Sequence, residues 1–306
     1  MGIVEIEQIQ YDEEYQRPIT LCLGFFDALH LGHIKLIDKA RLLAHKYHCK
    51  VGVFTFKNNP FAVLGNSSLQ VTTFYERCYR LEKLGVDVVL QAEFDKEFAR
   101  LSPIEFLDKI FDNKNIRAVV VGNDYTYGLQ AVGNIQTLAA YCQSKNIELT
   151  VENLKLADNG SKLSSRDIRA MVSDGRVEEI FLQLGSPYII IGKVVKGRGD
   201  GRKNFFATAN VELDKDKVFL RAGVYYCRVI VDGVSLKAVC NVGPHPTYND
   251  FNYNIEAHII YFNQEIYGKE VVIEFYKRLR ETEKFDSKEE LQKAINNDVE
   301  RALEID

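Results

Sequence analysis

A chain of 306 residues with a net charge of −4 and interspersed acids and bases favours two domains. It lacks the basic excess of a sequence-independent nucleic-acid binder. Glycine and proline are too sparse for a disordered or collagen-like chain, and no apolar run approaches the roughly 18–20 residues of a membrane span.

The N-terminal stretch "MGIVEIEQIQYDEEYQ" has no basic region and no long apolar core, so it is not read as a signal peptide. "TLCLGFF" reads as a strand. Residues 33–48 then carry Ile34, Ile37, Ala40 and Ala44 at helical spacing. "VGVFTF" (51–56) is a strand, 72–84 a helix and "VDVVLQ" a strand. A helix over 103–112 starts at Ser102-Pro103, "RAVVVG" is a strand, 133–145 a helix, and "IELTVEN" a strand. Apolar runs alternating with helices of this length predict an α/β, Rossmann-like domain on a parallel sheet. Six cysteines (Cys22, Cys49, Cys78, Cys142, Cys227, Cys240) are scattered without CxxC spacing. They read as reduced core residues of a cytoplasmic protein.

The pattern changes near Gly185-Ser186-Pro187. Strands then follow one another, at approximately 188–196, 222–231, 235–242, 254–262 and 269–277. Asp232-Gly233 is a type I′ hairpin signal. Asp286 and Ser287 can cap a last helix, whose Leu291, Ile295, Val299 and Leu303 form one stripe. This predicts a small antiparallel β-barrel with a C-terminal helix, and a division into 1–185 and 186–306.

Chemistry concentrates first in "GFFDALHLGH" (24–33). In open α/β sheets ligands bind beyond the carboxyl ends of strands. The first turn of a helix offers unpaired N–H groups to a phosphate, and Gly32 permits close approach. His30 and His33, three apart, can face one anion and donate to oxygens that gain charge. "HLGH" resembles the HxGH signature of the nucleotidyltransferase superfamily. In "KLSSRDIR" (162–169), Ser164, Ser165 and Arg169 match its second signature, S-S-T-x-I-R, which implies a triphosphate site. "VVVGNDYTYG" (119–128) resembles a segment of bacterial FAD synthetases, which implies that Asp124 and Tyr127 lie near the flavin and adenosine. "FTFKNNP" falls where that family carries an F-x-x-x-P loop. The same resemblance implies nucleotide contacts at Gly24, Phe26, Asp27 and Gly32.

"GKVVKGRGDGRKNFFATAN" (192–210) resembles the riboflavin kinase pattern. The resemblance implies nucleotide binding by Gly192, Gly197, Gly201 and Arg202, Mg²⁺ and phosphate positioning by Thr208 and Asn210, and a flavin contact at Arg280. Glu256, in "YNIEAHIIYF", matches the family's catalytic glutamate, and a carboxylate can deprotonate a hydroxyl that attacks a γ-phosphate. Together the halves resemble the bifunctional bacterial riboflavin kinase/FAD synthetase family over essentially the whole chain. This implies ATP and Mg²⁺, with riboflavin, FMN and FAD as substrates or products, and no nucleic-acid or membrane partner.

The chain departs from the family pattern at several positions. Phe25 stands where the family has Asn in G-N-F-D-G, with Ala28 for its last Gly. Arg166 replaces Thr in the second signature. Phe205 and Ala207 replace Gly and Pro in G-F-P-T-A-N, and His245 replaces an Arg. Two other readings stay open on sequence. One is an FAD synthetase whose second domain binds flavin without phosphorylating it. The other, of a different class, is a non-catalytic flavin sensor.

Overall fold

The computed structural model describes residues 6–66, 69–154, 164–195, 208–244 and 253–305. By its internal contacts the chain divides into two compact units, Met1–Ser165 and Arg166–Asp306.

In the first unit, six strands form one parallel sheet: β1 (Glu7–Gln10), β2 (Tyr15–Leu23), β3 (Lys50–Phe56), β4 (Val88–Ala92), β5 (Lys114–Gly122) and β6 (Glu148–Glu152), in the order β1-β4-β3-β2-β5-β6. The strand period of two sends Leu21 and Leu23 to one face and Cys22 to the other, and all three are buried. Both faces are therefore covered, as the apolar runs require. On one face α1 (Leu31–Tyr47) and α3 (Phe74–Lys83) bring Leu36, Ile37, Ala40, Phe74 and Leu81 against Val53, Val89 and Val120. On the other, α4 (Pro103–Phe111) and α5 (Ile135–Ser144) bring Phe106, Leu107, Leu138 and Tyr141 against Leu90, Val119 and Val121. A short helix, α2 (Pro60–Val63), follows β3. α3 and α4 begin with capping boxes, Thr73 with Glu76 and Ser102 with Glu105. β1 is an edge strand that the hydrophobic pattern did not single out; it pairs with β4 from Glu7 to Gln10.

The second unit opens with α6 (Ser165–Asp174) and α7 (Val177–Leu184), the latter ended by Gly185 in the left-handed region at φ 64°. Six antiparallel strands then close into a barrel: β7 (Tyr188–Val195), β8 (Thr208–Val211), β9 (Gly223–Val231), β10 (Val234–Pro244), β11 (Tyr253–Ile259) and β12 (Glu270–Arg280), in the order β10-β11-β8-β7-β12-β9. Among the described residues, each of the six strands has a partner on both sides. Asp232 (φ 50°) and Gly233 (φ 77°) make the expected type I′ turn between β9 and β10. β8 was legible only as a motif, being too short to show a period.

The C-terminal helix α8 (Lys288–Leu303) is capped by Ser287, whose Oγ accepts from the Glu290 amide at 3.1 Å. Of the expected stripe, Leu291, Ile295 and Val299 are half-buried, and Val299 packs against the cluster that holds Ala302. Leu303 is exposed, and the fully buried positions are Asp298 and Ala302. On the same face Asp298 reaches Arg280 of β12 in a two-pronged ion pair. Among the described residues, no helix is long and apolar enough to cross a membrane.

Candidate functional site

In the first unit the segment after β2 is held in a conformation that few sequences adopt unaided. Phe26 and Leu29 have φ of 56° and 48°, a region that costs most non-glycine residues energy. Their neighbours over-determine it. Thr55 Oγ1 donates to the Phe25 carbonyl at 2.7 Å, and Thr72 Oγ1 donates to that of Asp27. Arg80 donates Nη1 to Ala28 O at 2.7 Å and Nη2 to Leu29 O at 3.2 Å. Asp27, almost fully buried, accepts the amides of Val71 and Thr72 on Oδ1, at 2.8 and 3.2 Å. The carboxylate thus ties two loops together from beneath the strand ends. At Gly24 a β-carbon would lie 2.9 Å from the Phe26 ring, which folds back over it.

This held loop delivers His30 to the N-cap of α1 and His33 to its first turn, with Gly32 buried between them. The two imidazoles stack with centroids 3.9 Å apart and planes 16° from parallel, and the Phe26 ring lies 4.9 Å from His33. His30 makes no side-chain cap bond to the helix amides. The loop therefore presents the amino end of α1, with its partial positive charge, together with two imidazoles. Phe25, half-buried, takes the place of a polar side chain here. Its ring lies 4.6 Å from the Arg77 guanidinium and 6.1 Å from the Phe61 ring.

The other positions singled out by sequence divide unevenly. Asp124 is exposed just past β5. Tyr127 is buried in the core, 5.3 Å from Phe106 and 5.6 Å from Tyr125, with its hydroxyl 2.9 Å from Thr137 Oγ1. Burial raises the pKa of that phenol. Ser164 directly precedes α6, Ser165 is its first residue, and Arg169 lies one turn further on, all half-buried. A cavity of about 740 Å³, lined by Tyr47, Arg117, Cys142 and Glu148 among others, lies at the amino ends of β5 and β6. It is thus at the opposite end of the sheet from the histidines.

In the barrel, Glu256 of β11 stands directly across from Asn210 of β8. Ile255 and Ala257 point into the barrel and are fully buried, so Asn254, Glu256 and His258 share the outer face. Asn254 Nδ2 donates to Asn210 Oδ1 at 3.0 Å and to Glu256 Oε1 at 3.2 Å. Thr208 pairs in register with His258, on the strand that carries Asn210. Gly192 has a packing reason for being glycine: a β-carbon there would lie 2.4 Å from Glu212 O and 2.5 Å from Val211 Cγ1, where β8 crosses β7. Arg280 is engaged by Asp298 and also donates Nη1 to Glu281 O at 3.1 Å. Gly197, Gly201 and Arg202, with Phe205, Ala207 and His245, lie outside the described residues.

Sequence reasoning missed the residues that hold these groups in place. Thr55, Thr72 and Arg80 act on the loop from 30 to 52 positions away, a distance no local pattern reports. Asn254 carried a usable signal, since the strand period puts it on the face of Glu256 two residues on.

Comparison with known proteins bears on the whole chain. The FAD synthetase family model matches residues 12–167 and the riboflavin kinase family model residues 184–305. A "Bifunctional riboflavin kinase/FMN adenylyltransferase" of Bacillus subtilis (strain 168) is 35% identical over 297 residues, covering 95% of this chain and 93% of that protein. The protein of the same name from Listeria monocytogenes serovar 1/2a is 34% identical over 283 residues, covering 91% and 90%. A crystal structure of a protein described as a macrolide-efflux protein, from Streptococcus pneumoniae, superposes with a TM-score of 0.86 at 28% identity, covering 98% of this chain and 100% of that one. With both family models matched in sequence order, the chain belongs to the bifunctional family that joins an FAD synthetase to a riboflavin kinase.

Proposed function

We propose that this chain makes FAD from riboflavin in two ATP-consuming steps, with residues 1–185 serving adenylyl transfer and 186–306 the kinase. The family matches at 12–167 and 184–305 support that division. In the kinase step a terminal hydroxyl oxygen of riboflavin attacks the γ-phosphorus of ATP. The bond from that phosphorus to the bridging oxygen breaks, ADP leaves, and the hydroxyl proton passes to Glu256. In the second step a phosphate oxygen of FMN attacks the α-phosphorus of ATP, and pyrophosphate leaves. No protein nucleophile is needed. His30 and His33 donate hydrogen bonds to phosphate oxygens as charge builds on them, within a loop shaped by Gly24, Phe26, Asp27 and Gly32. Ser164, Ser165 and Arg169 hold the departing pyrophosphate. Asp124, Tyr127 and Arg280 take the flavin-binding roles that the family pattern assigns them.

A divalent cation fits the kinase site through its donor chemistry. Asn210 offers a neutral amide oxygen beside the Glu256 carboxylate, the hard-oxygen setting that Mg²⁺ prefers when it arrives on phosphates. Among the described residues, no group of three or more His, Cys, Asp or Glu side chains is placed to hold a metal by itself. Asn210 and Thr208 would hold the ion, with Gly192, Gly197, Gly201 and Arg202 around the phosphates. The ion would neutralise charge on the transferring phosphoryl group.

The observation that carries this reading is the stacked pair His30 and His33 at the amino end of α1, on a loop whose carbonyls are already bonded elsewhere. Single substitutions test it. Glu256→Gln is expected to abolish FMN formation from riboflavin and leave FAD formation from supplied FMN intact, and His33→Ala to do the reverse. Loss of both activities in both variants, with the fold intact, contradicts the assignment.

A further inference from the structure

Asn254 occupies a place in the barrel that no catalytic motif claims. Its single carboxamide nitrogen has two hydrogens, and both are spent: one on Glu256 Oε1 at 3.2 Å, the other on Asn210 Oδ1 at 3.0 Å. The polarity of this bridge is forced. An ionised carboxylate only accepts, so Asn254 must turn its nitrogen toward Glu256. That nitrogen then faces Asn210, which must present its carbonyl oxygen, because two amide nitrogens cannot bond each other by donation alone. Glu256 thus fixes Asn254, and Asn254 fixes which atom of Asn210 faces Asn254 and Glu256. Asn210 is 9% exposed, so water is a poor substitute for the bridge.

We infer that Asn254 is a positioning residue of the kinase site. It locks the carboxylate that receives the proton to the amide oxygen offered to the metal. The inference rests on the kinase reading given above. A side chain with one donor can serve only one of the two neighbours, and a side chain with none frees both. Threonine and valine share shape and strand preference, so Asn254→Thr and Asn254→Val separate hydrogen bonding from folding.

Two measurements on the full chain test this. In the first, the kcat and KM of FMN formation are determined across Mg²⁺ concentrations, with FAD formation from supplied FMN as the control for fold. Asn254→Val is expected to lose about 10–100-fold in kcat and to need more Mg²⁺, the usual size of effect for a residue that orients a metal ligand. Its KM for riboflavin should change little, and Asn254→Thr should fall between it and the wild type. In the second, Mn²⁺ with ADP is titrated calorimetrically into wild type and variants without riboflavin. Affinity is expected to fall in the same order, Asn, Thr, Val. Equal values for Thr and Val in either measurement overturn the inference, because a merely structural role favours valine at least as much as threonine. If the wild type forms no FMN yet the binding order holds, the kinase reading fails and the positioning role stands. If the wild type forms FMN and the binding order is absent, the positioning role fails alone.

Discussion

Arg280 grips Asp298 with two prongs, Nε to Oδ1 at 3.0 Å and Nη2 to Oδ2 at 2.8 Å, and so latches the last helix to the barrel. The aspartate side chain is only 4% exposed and that of the arginine 19%. Removing one partner strands a largely desolvated charge. Asp298→Ala is expected to cost about 3–5 kcal/mol in unfolding by urea. Replacing both residues by leucine should cost less than the aspartate change alone. A double variant as damaged as the sum of its singles contradicts this coupling.

Arg80 bears on the first site through the backbone. Burial lowers its pKa to about 10, and its guanidinium serves the carbonyls of Ala28 and Leu29. Arg80→Lys keeps the charge and loses the fork. Its turnover of FMN to FAD is expected to drop at least about tenfold, since a displaced reacting group costs that much or more. FMN formation from riboflavin should not change. An unaffected FAD rate contradicts the proposed support of the loop.

Arg77 poses the opposite case. It is fully buried and donates Nη2 to Phe56 O at 2.8 Å, while Nε and Nη1 have no hydrogen-bond partner. Burial lowers its pKa to about 10. For a base, the sign is that the protonated form is disfavoured in the fold. The cost is present in full below about pH 10 and fades only as pH rises toward the unfolded value. Its size is ~3 kcal/mol. Arg77→Met removes this cost together with the bond to Phe56 O and the attraction to buried Asp27, and is expected to leave thermal stability at neutral pH within a few degrees of the wild type. A fall in Tm of more than a few degrees contradicts it.

Gly192 tests barrel closure. Glu212 O and Val211 Cγ1 stand 2.4 and 2.5 Å from where a β-carbon would be. Gly192→Ala must push β8 from β7, which disturbs the strand that carries Asn210. Overpacking of this kind costs about 1–3 kcal/mol or more. Kinase activity should fall with it, while FAD formation from supplied FMN persists. Unchanged kinase turnover contradicts the link.

The parts of this molecule that were legible in the sequence are those governed by local physics. Parallel strands buried on both faces must be apolar, so Val119 to Val121 and Leu21 to Leu23 announced the sheet. The hairpin at Asp232-Gly233 followed from the φ values that such a turn demands. His30 and His33 could be placed at a strand-to-helix junction because sequence neighbours set that geometry. The rest depends on distant partners. The Leu291 stripe marked the buried side of α8 but not the charge buried there, because Asp298 answers to a residue 18 positions earlier. The strained turn at Phe26 and Leu29 holds only because Thr55, Thr72 and Arg80 come from other elements. Asn254 acquires its role only when β8 and β11 are paired.

The most direct test of the central claim is chromatography of the flavins formed by the full chain with ATP and Mg²⁺. Supplied with riboflavin, the protein is expected to accumulate FMN first and FAD after it. Supplied with FMN, it is expected to form FAD and pyrophosphate in equal amounts. FAD from FMN without FMN from riboflavin contradicts the kinase half, and no FAD from FMN contradicts the claim at its root.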